Sequence, residues 1–95
     1  MIEVAQFKEE VIKFFPDARF LKHKEFGYIM FVLTNNRDYE VRFMISDALK
    51  KISVIGFNTE DHDIATSDII SELDKFSEML NKLKQDGYSQ PSLGK

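Results

Sequence analysis

The chain contains no cysteine. A secreted domain of this size is usually stapled by disulfides, so the absence points to a reducing compartment and a cytoplasmic protein. It also removes thiolate zinc ligands and cysteine nucleophiles. Long apolar runs are missing too. The longest, Tyr28 to Leu33, is strand-sized and far short of the roughly 20 residues that span a bilayer, so no membrane contact is expected. Residues Met1-Ile2-Glu3-Val4-Ala5-Gln6 carry an early acid and lack the apolar core of a secretory signal. The four glycines form no G-x-S-x-G, P-loop or G-x-G-x-x-G pattern. Only His23 and His62 could act as histidine bases. There is no internal repeat and no low-complexity tract. No catalytic residue, cofactor or metal is therefore expected, and the chain reads as a non-enzyme. The one cluster of metal-ligand types, Glu60-Asp61-His62-Asp63, lacks the ligand spacing of a calcium loop, because Ala65 stands where a further oxygen is needed. It reads as a polar loop leading into a helix.

What is present is a core. Nine phenylalanines and a 43% hydrophobic content suit one folded domain. The expected layout is a single α+β domain over residues 1–87 and a flexible polar tail over 88–95. In residues 3–15, Val4, Phe7, Val11 and Phe14 recur at spacings of three and four, which predicts a helix ended by Pro16. Strand-like runs follow at Phe20–Lys24, Tyr28–Thr34 and Tyr39–Ile45, separated by Phe26-Gly27 and Asn35-Asn36-Arg37-Asp38. Ile52–Asn58 is a fourth candidate strand, with Gly56 marking a bulge or a close backbone contact. Its alternative is a helix from Asp47 to about Ile55. From Asp63 or Ser67 to Gln85 the pattern reads as one long amphipathic helix. Ile69, Leu73, Phe76, Leu80 and Leu83 form its apolar seam, and Gly87 is its C′ residue. The predicted fold is a two-layer α+β sandwich: an N-terminal helix, an antiparallel meander of three to four strands and a long C-terminal helix.

The pleat sorts side chains into faces. A connection of two or four residues between the second and third strands would group Tyr28, Met30, Val32, Tyr39, Val41, Phe43 and Ile45 as the wall under the helices. The other face would then carry Ile29, Phe31, Leu33, Glu40, Arg42 and Met44. A two-residue turn at Phe26-Gly27 adds Phe20, Lys22 and Lys24 to it.

Charge is unevenly spread. Residues 1–51 hold nine Lys/Arg against eight Asp/Glu, and residues 52–95 hold four against eight. Glu60, Asp61, Asp63, Asp68, Glu72 and Asp74 follow one another with no Lys or Arg before Lys75. Such a block suits a basic protein partner or a solvated face; phosphate binding needs the opposite sign. The expected function is a small acidic protein-binding module, an inhibitor, modulator or adaptor of a larger partner with a basic surface. By charge analogy alone, phage or bacterial anti-defence and immunity inhibitors of nucleic-acid-handling enzymes, anti-CRISPR proteins among them, are of this kind. The acidic patch is its candidate site. One alternative is a nucleic-acid-binding sheet face built from Phe20, Lys22, Lys24, Phe31 and Arg42. Another is a homodimeric structural subunit.

Overall fold

The computed structural model describes residues 1–35 and 38–91. Their elements are α1 (Val4–Phe14), β1 (Leu21–His23), β2 (Tyr28–Thr34), β3 (Tyr39–Ile45), β4 (Ile52–Asn58), β5 (Ile64–Ile70) and α2 (Leu73–Gln85). The five strands form an antiparallel meander in the order β1-β2-β3-β4-β5. The class is α+β, with five strands in place of the expected three to four.

The fifth strand lies where the sequence pattern suggests the start of the last helix. Ile64, Thr66, Ile69 and Ile70 are β-branched, and β-branched side chains lose rotamer freedom in a helix but fit a pleat. The helix begins only at Leu73, with Glu72 as N-cap. Ile69 is therefore a strand residue, 62% exposed, and the apolar seam shortens to Leu73, Phe76, Leu80 and Leu83. At the far end the N–H of Tyr88 donates to Leu83 O (3.0 Å) and that of Gly87 to Lys84 O (3.1 Å). Gly87 takes φ +90, the left-handed step that closes a Schellman-type cap.

The pairing of β2 with β3 decides which face is core. Ile29, Phe31 and Leu33 stand opposite Ile45, Phe43 and Val41. Asn35 and Tyr39 are tied by Asn35 N–H to Tyr39 O (3.3 Å) and by Tyr39 N–H to Asn35 Oδ1 (3.3 Å). Three residues thus separate the tied pair. An odd count reverses the parity that a two- or four-residue turn would give. The expected wall is corrected accordingly: Ile29, Phe31 and Leu33 join Val41, Phe43 and Ile45 beneath the helices, all buried. Tyr28, Met30 and Val32 join Glu40, Arg42 and Met44 on the other side.

Both helices pack side by side on the Phe31–Phe43 face. The rings of Phe7 and Phe76 stack at 5.2 Å between α1 and α2, and Phe76 meets Phe43 edge-on at 5.4 Å. Phe15 and Phe20 close on Phe31 at 5.5 and 5.9 Å. Such ring contacts add to the large area each Phe removes from water. Ile2 is buried ahead of α1, its N–H donating to Lys50 O (2.9 Å), while Lys50 Nζ reaches Glu3 Oε1 (2.7 Å). Ser46 caps the turn before β4 by accepting the N–H of Leu49 (3.2 Å).

The start of the expected free tail is engaged. Ser89 bridges Thr34, Tyr88 packs on the core, and Gln90 exchanges two bonds with the Arg19 backbone (2.6 and 2.9 Å). Residues 92–95 lie outside the described residues. No helix among the described residues is long and apolar enough to cross a membrane.

Candidate functional site

Two helices cover one face of the sheet, and among the described residues no helix covers the other; Arg19, Gln90 and Pro91 flank it at Val32, which like Phe57 is buried. That open face carries Leu21, Tyr28, Met30, Val32, Met44, Ile55, Phe57, Ile64 and Ile69. Leu21, Ile64 and Ile69 are 52%, 65% and 62% exposed. Shallow hollows run across it. One of about 260 Å³ lies between Leu21, Met30, Val32 and Arg42, and one of about 390 Å³ between Met44, Ile55, Phe57 and Ile64. Alternation of apolar and polar residues would have left this face polar. The sequence carries the signal in β2 and β4, whose apolar residues fall on both parities.

Arg42, the cation near the centre, is already paired. Arg42 Nε lies 2.6 Å from Glu40 Oε2, and its guanidinium sits 4.7 Å over the ring of Phe57. His62, at φ +62 in the β4–β5 turn, brings its ring to 6.4 Å from the other end of the same group. The middle of the face is thus neutral and apolar.

The expected basic-aromatic face is not assembled. Phe31 is fully buried under the helices, and Phe20 is half-buried between Phe7 and Phe31. Lys22 pairs with Ile29 on the helix side, and Lys24 lies in the β1–β2 turn. Only Arg42 of the five points to the open side. The physical cause is again the odd β2–β3 connection, which moved Phe31 and Arg42 to opposite faces.

The acidic residues divide into two groups at the ends of β5. Glu60, Asp61 and Asp63 sit in the β4–β5 turn beside Ile64, all exposed. There Asn58 Oδ1 accepts the N–H of Glu60 (2.8 Å) and Asp61 Oδ1 that of Asp63 (3.0 Å), so part of this polarity shapes the turn. Asp68, Glu72 and Asp74 gather where β5 ends and α2 begins. A seven-residue strand separates the groups by roughly 20 Å. Asp74 also lies in the first turn of α2, where the helix dipole favours an acid.

The arrangement belongs to a class defined by fold alone: an α+β domain with one covered and one uncovered sheet face. No protein-family model, curated protein or solved structure matches the chain.

Proposed function

We propose that this chain is a small acidic, non-enzymatic protein-binding module that acts in the cytoplasm as an inhibitor, modulator or adaptor of a larger partner with a basic surface. The observation that carries the reading is the uncovered apolar sheet face. Side chains such as Leu21, Met30, Met44, Ile55 and Ile64 would gain by leaving water, and the face has no helix of its own chain to do it. Glu60, Asp61 and Asp63 form an acidic rim at its Ile64 corner, which suits a partner with Lys and Arg around an apolar patch.

Size favours a larger partner over a second copy. Four strands of seven residues and the three-residue β1, at about 4.8 Å spacing, cover on the order of 400–500 Å² in plan. That is roughly half of the 800 Å² or so that each side of a stable complex contributes. A partner that also grips the rim supplies the rest.

The test compares capture from the source cells by the wild-type chain, by Met44→Lys/Ile55→Lys and by Glu60→Lys/Asp61→Lys/Asp63→Lys, with circular dichroism confirming the fold. Capture of one partner by the wild type is expected, lost in the face variant and made weak and salt-insensitive in the rim variant. Undiminished capture by the face variant overturns the reading. A stable dimer at micromolar concentration in sedimentation would favour the structural-subunit alternative.

A further inference from the structure

The two edges of the sheet are treated differently. At one edge β1 has only three residues, and the length of β2 beyond it is closed by Ser89 pairing with Thr34 and by the Arg19–Gln90 bonds. A short strand and a covering segment are ordinary ways to keep an edge from recruiting another chain. At the other edge β5 is seven residues long, and among the described residues no strand pairs with its outer side; the N–H of Ile69 is taken by the side chain before it, Asp68 Oδ1 (2.8 Å), a bond that an added strand would have to displace. All of its residues except Ile70 are exposed. It carries no Lys and no Pro. Ala65 is the extra residue of a bulge, since Thr66 faces Gly56 while Ile64 faces Phe57. A bulge bends its own end of the strand and leaves Thr66–Ile70 as a regular stretch. There every second residue turns its N–H and C=O groups outward.

Alongside that stretch a groove of about 530 Å³ runs between the end of β5 and α2. Its lining carries three acids, Asp68, Glu72 and Glu78, against two lysines, Lys75 and Lys82, a net acidic balance of one. Lys82 is drawn aside, its Nζ 3.9 Å from Asp86. A strand laid against β5 would send alternate side chains into this groove and the others to the open side beside Ile69.

We infer that the outer edge of β5 is a strand-addition site for an extended segment of another protein in which Lys or Arg alternates with aliphatic residues. Backbone pairing with Thr66–Ile70 supplies the affinity. The basic side chains meet Asp68, Glu72 and Glu78 in the groove, and the aliphatic ones extend the apolar open face past Ile69. This surface is separate from the sheet face itself, and either can hold without the other.

The probe is a short, terminally blocked peptide alternating lysine and valine, with a control carrying glutamate for lysine. Amide chemical shifts and hydrogen exchange are followed residue by residue on the full chain. The lysine peptide is expected to bind saturably and to slow exchange at alternate residues of Thr66–Ile70. Asp68→Lys/Glu72→Lys is expected to weaken it by about tenfold, and Ile69→Lys, at an exposed position, supplies a second variant that leaves the core intact. Equal affinity for the glutamate peptide, no slowing on β5, or shifts confined to Met44 and Ile55 would each overturn the proposal. So would protection of β5 that grows with the concentration of the protein alone, which would make the occupant a second copy.

Discussion

Gly56 illustrates how one residue sets local geometry. A Cβ built there would lie 2.5 Å from Tyr39 Oη and 2.6 Å from Thr66 Oγ1. Tyr39 crosses β4 at this point, its hydroxyl 3.4 Å from Thr66 Oγ1. Only a residue without a side chain lets the ring lie flat across the strand. The sequence marked Gly56 as a bulge or a close backbone contact; the close contact found is with the side chains of Tyr39 and Thr66, and the register shift between Gly56 and Phe57 puts the extra residue, Ala65, in the neighbouring strand. Gly56→Ala should therefore destabilise the fold by about 1–3 kcal/mol. Thr66→Ala in the same chain should recover part of the loss by vacating one of the two positions. Urea unfolding of the single and double variants measures both effects.

Among elements, the α2 terminus and the segment after it do more than end the chain's regular structure. The Gly87 step turns Tyr88 back onto the core, where burial first, and the neighbouring Tyr39, Asp86 and Asp38 after it, raise its phenol above the usual 10.0. The sign follows from linkage. The unfolded chain loses this proton first as pH rises, so the stability tied to Tyr88 is complete below pH 10.0 and declines above it until the folded phenol also ionises. Lys50 is likewise raised, chiefly by its bond to Glu3, and acts in the same alkaline range. The thermal unfolding midpoint should fall as pH rises through this range, and fall less in Tyr88→Phe. An identical alkaline loss in the variant would remove Tyr88 as a cause. The polar composition of 88–91 gave no sign of this anchoring, since it depends on Thr34 and Arg19, far away in sequence.

Across the whole molecule, stability should grade outward from β3. That strand has a neighbour on each side and its core face under the helices, whereas β5 has one neighbour and is exposed on both faces. Regions with few buried contacts open without global unfolding. Amides of β3 and the inner side of β4 should exchange near the global rate, and those of Ile64–Ile69 orders of magnitude faster. Equal protection of β3 and β5 in native-state exchange would contradict this grading. A loosely held edge strand next to an uncovered face is also a surface that can adapt to a partner.

The sequence by itself determined the α+β class, α1, the positions of β2 and β3, and the Leu73–Leu83 stripe, because each rests on a local period or a local turn residue; at Ile52–Asn58 it left a helix from Asp47 to about Ile55 as the alternative, and pairing with β3 and β5 made the segment a strand. It also located the acidic run. Only the tertiary structure decided which parity of β2 became core. That choice hangs on one residue in the Asn35–Tyr39 connection, and an odd count sends Phe31 inward and Met30 outward. Both parities of β2 are apolar, so hydrophobicity alone could not choose between them. The assignment of 64–70 was likewise settled beyond the local pattern. A helical seam and a β-branched run compete there, and pairing with β4 gives the strand its hydrogen bonds. The acidic run, continuous in sequence, was then split across the two ends of that strand, since an antiparallel turn and a seven-residue strand carry its halves roughly 20 Å apart.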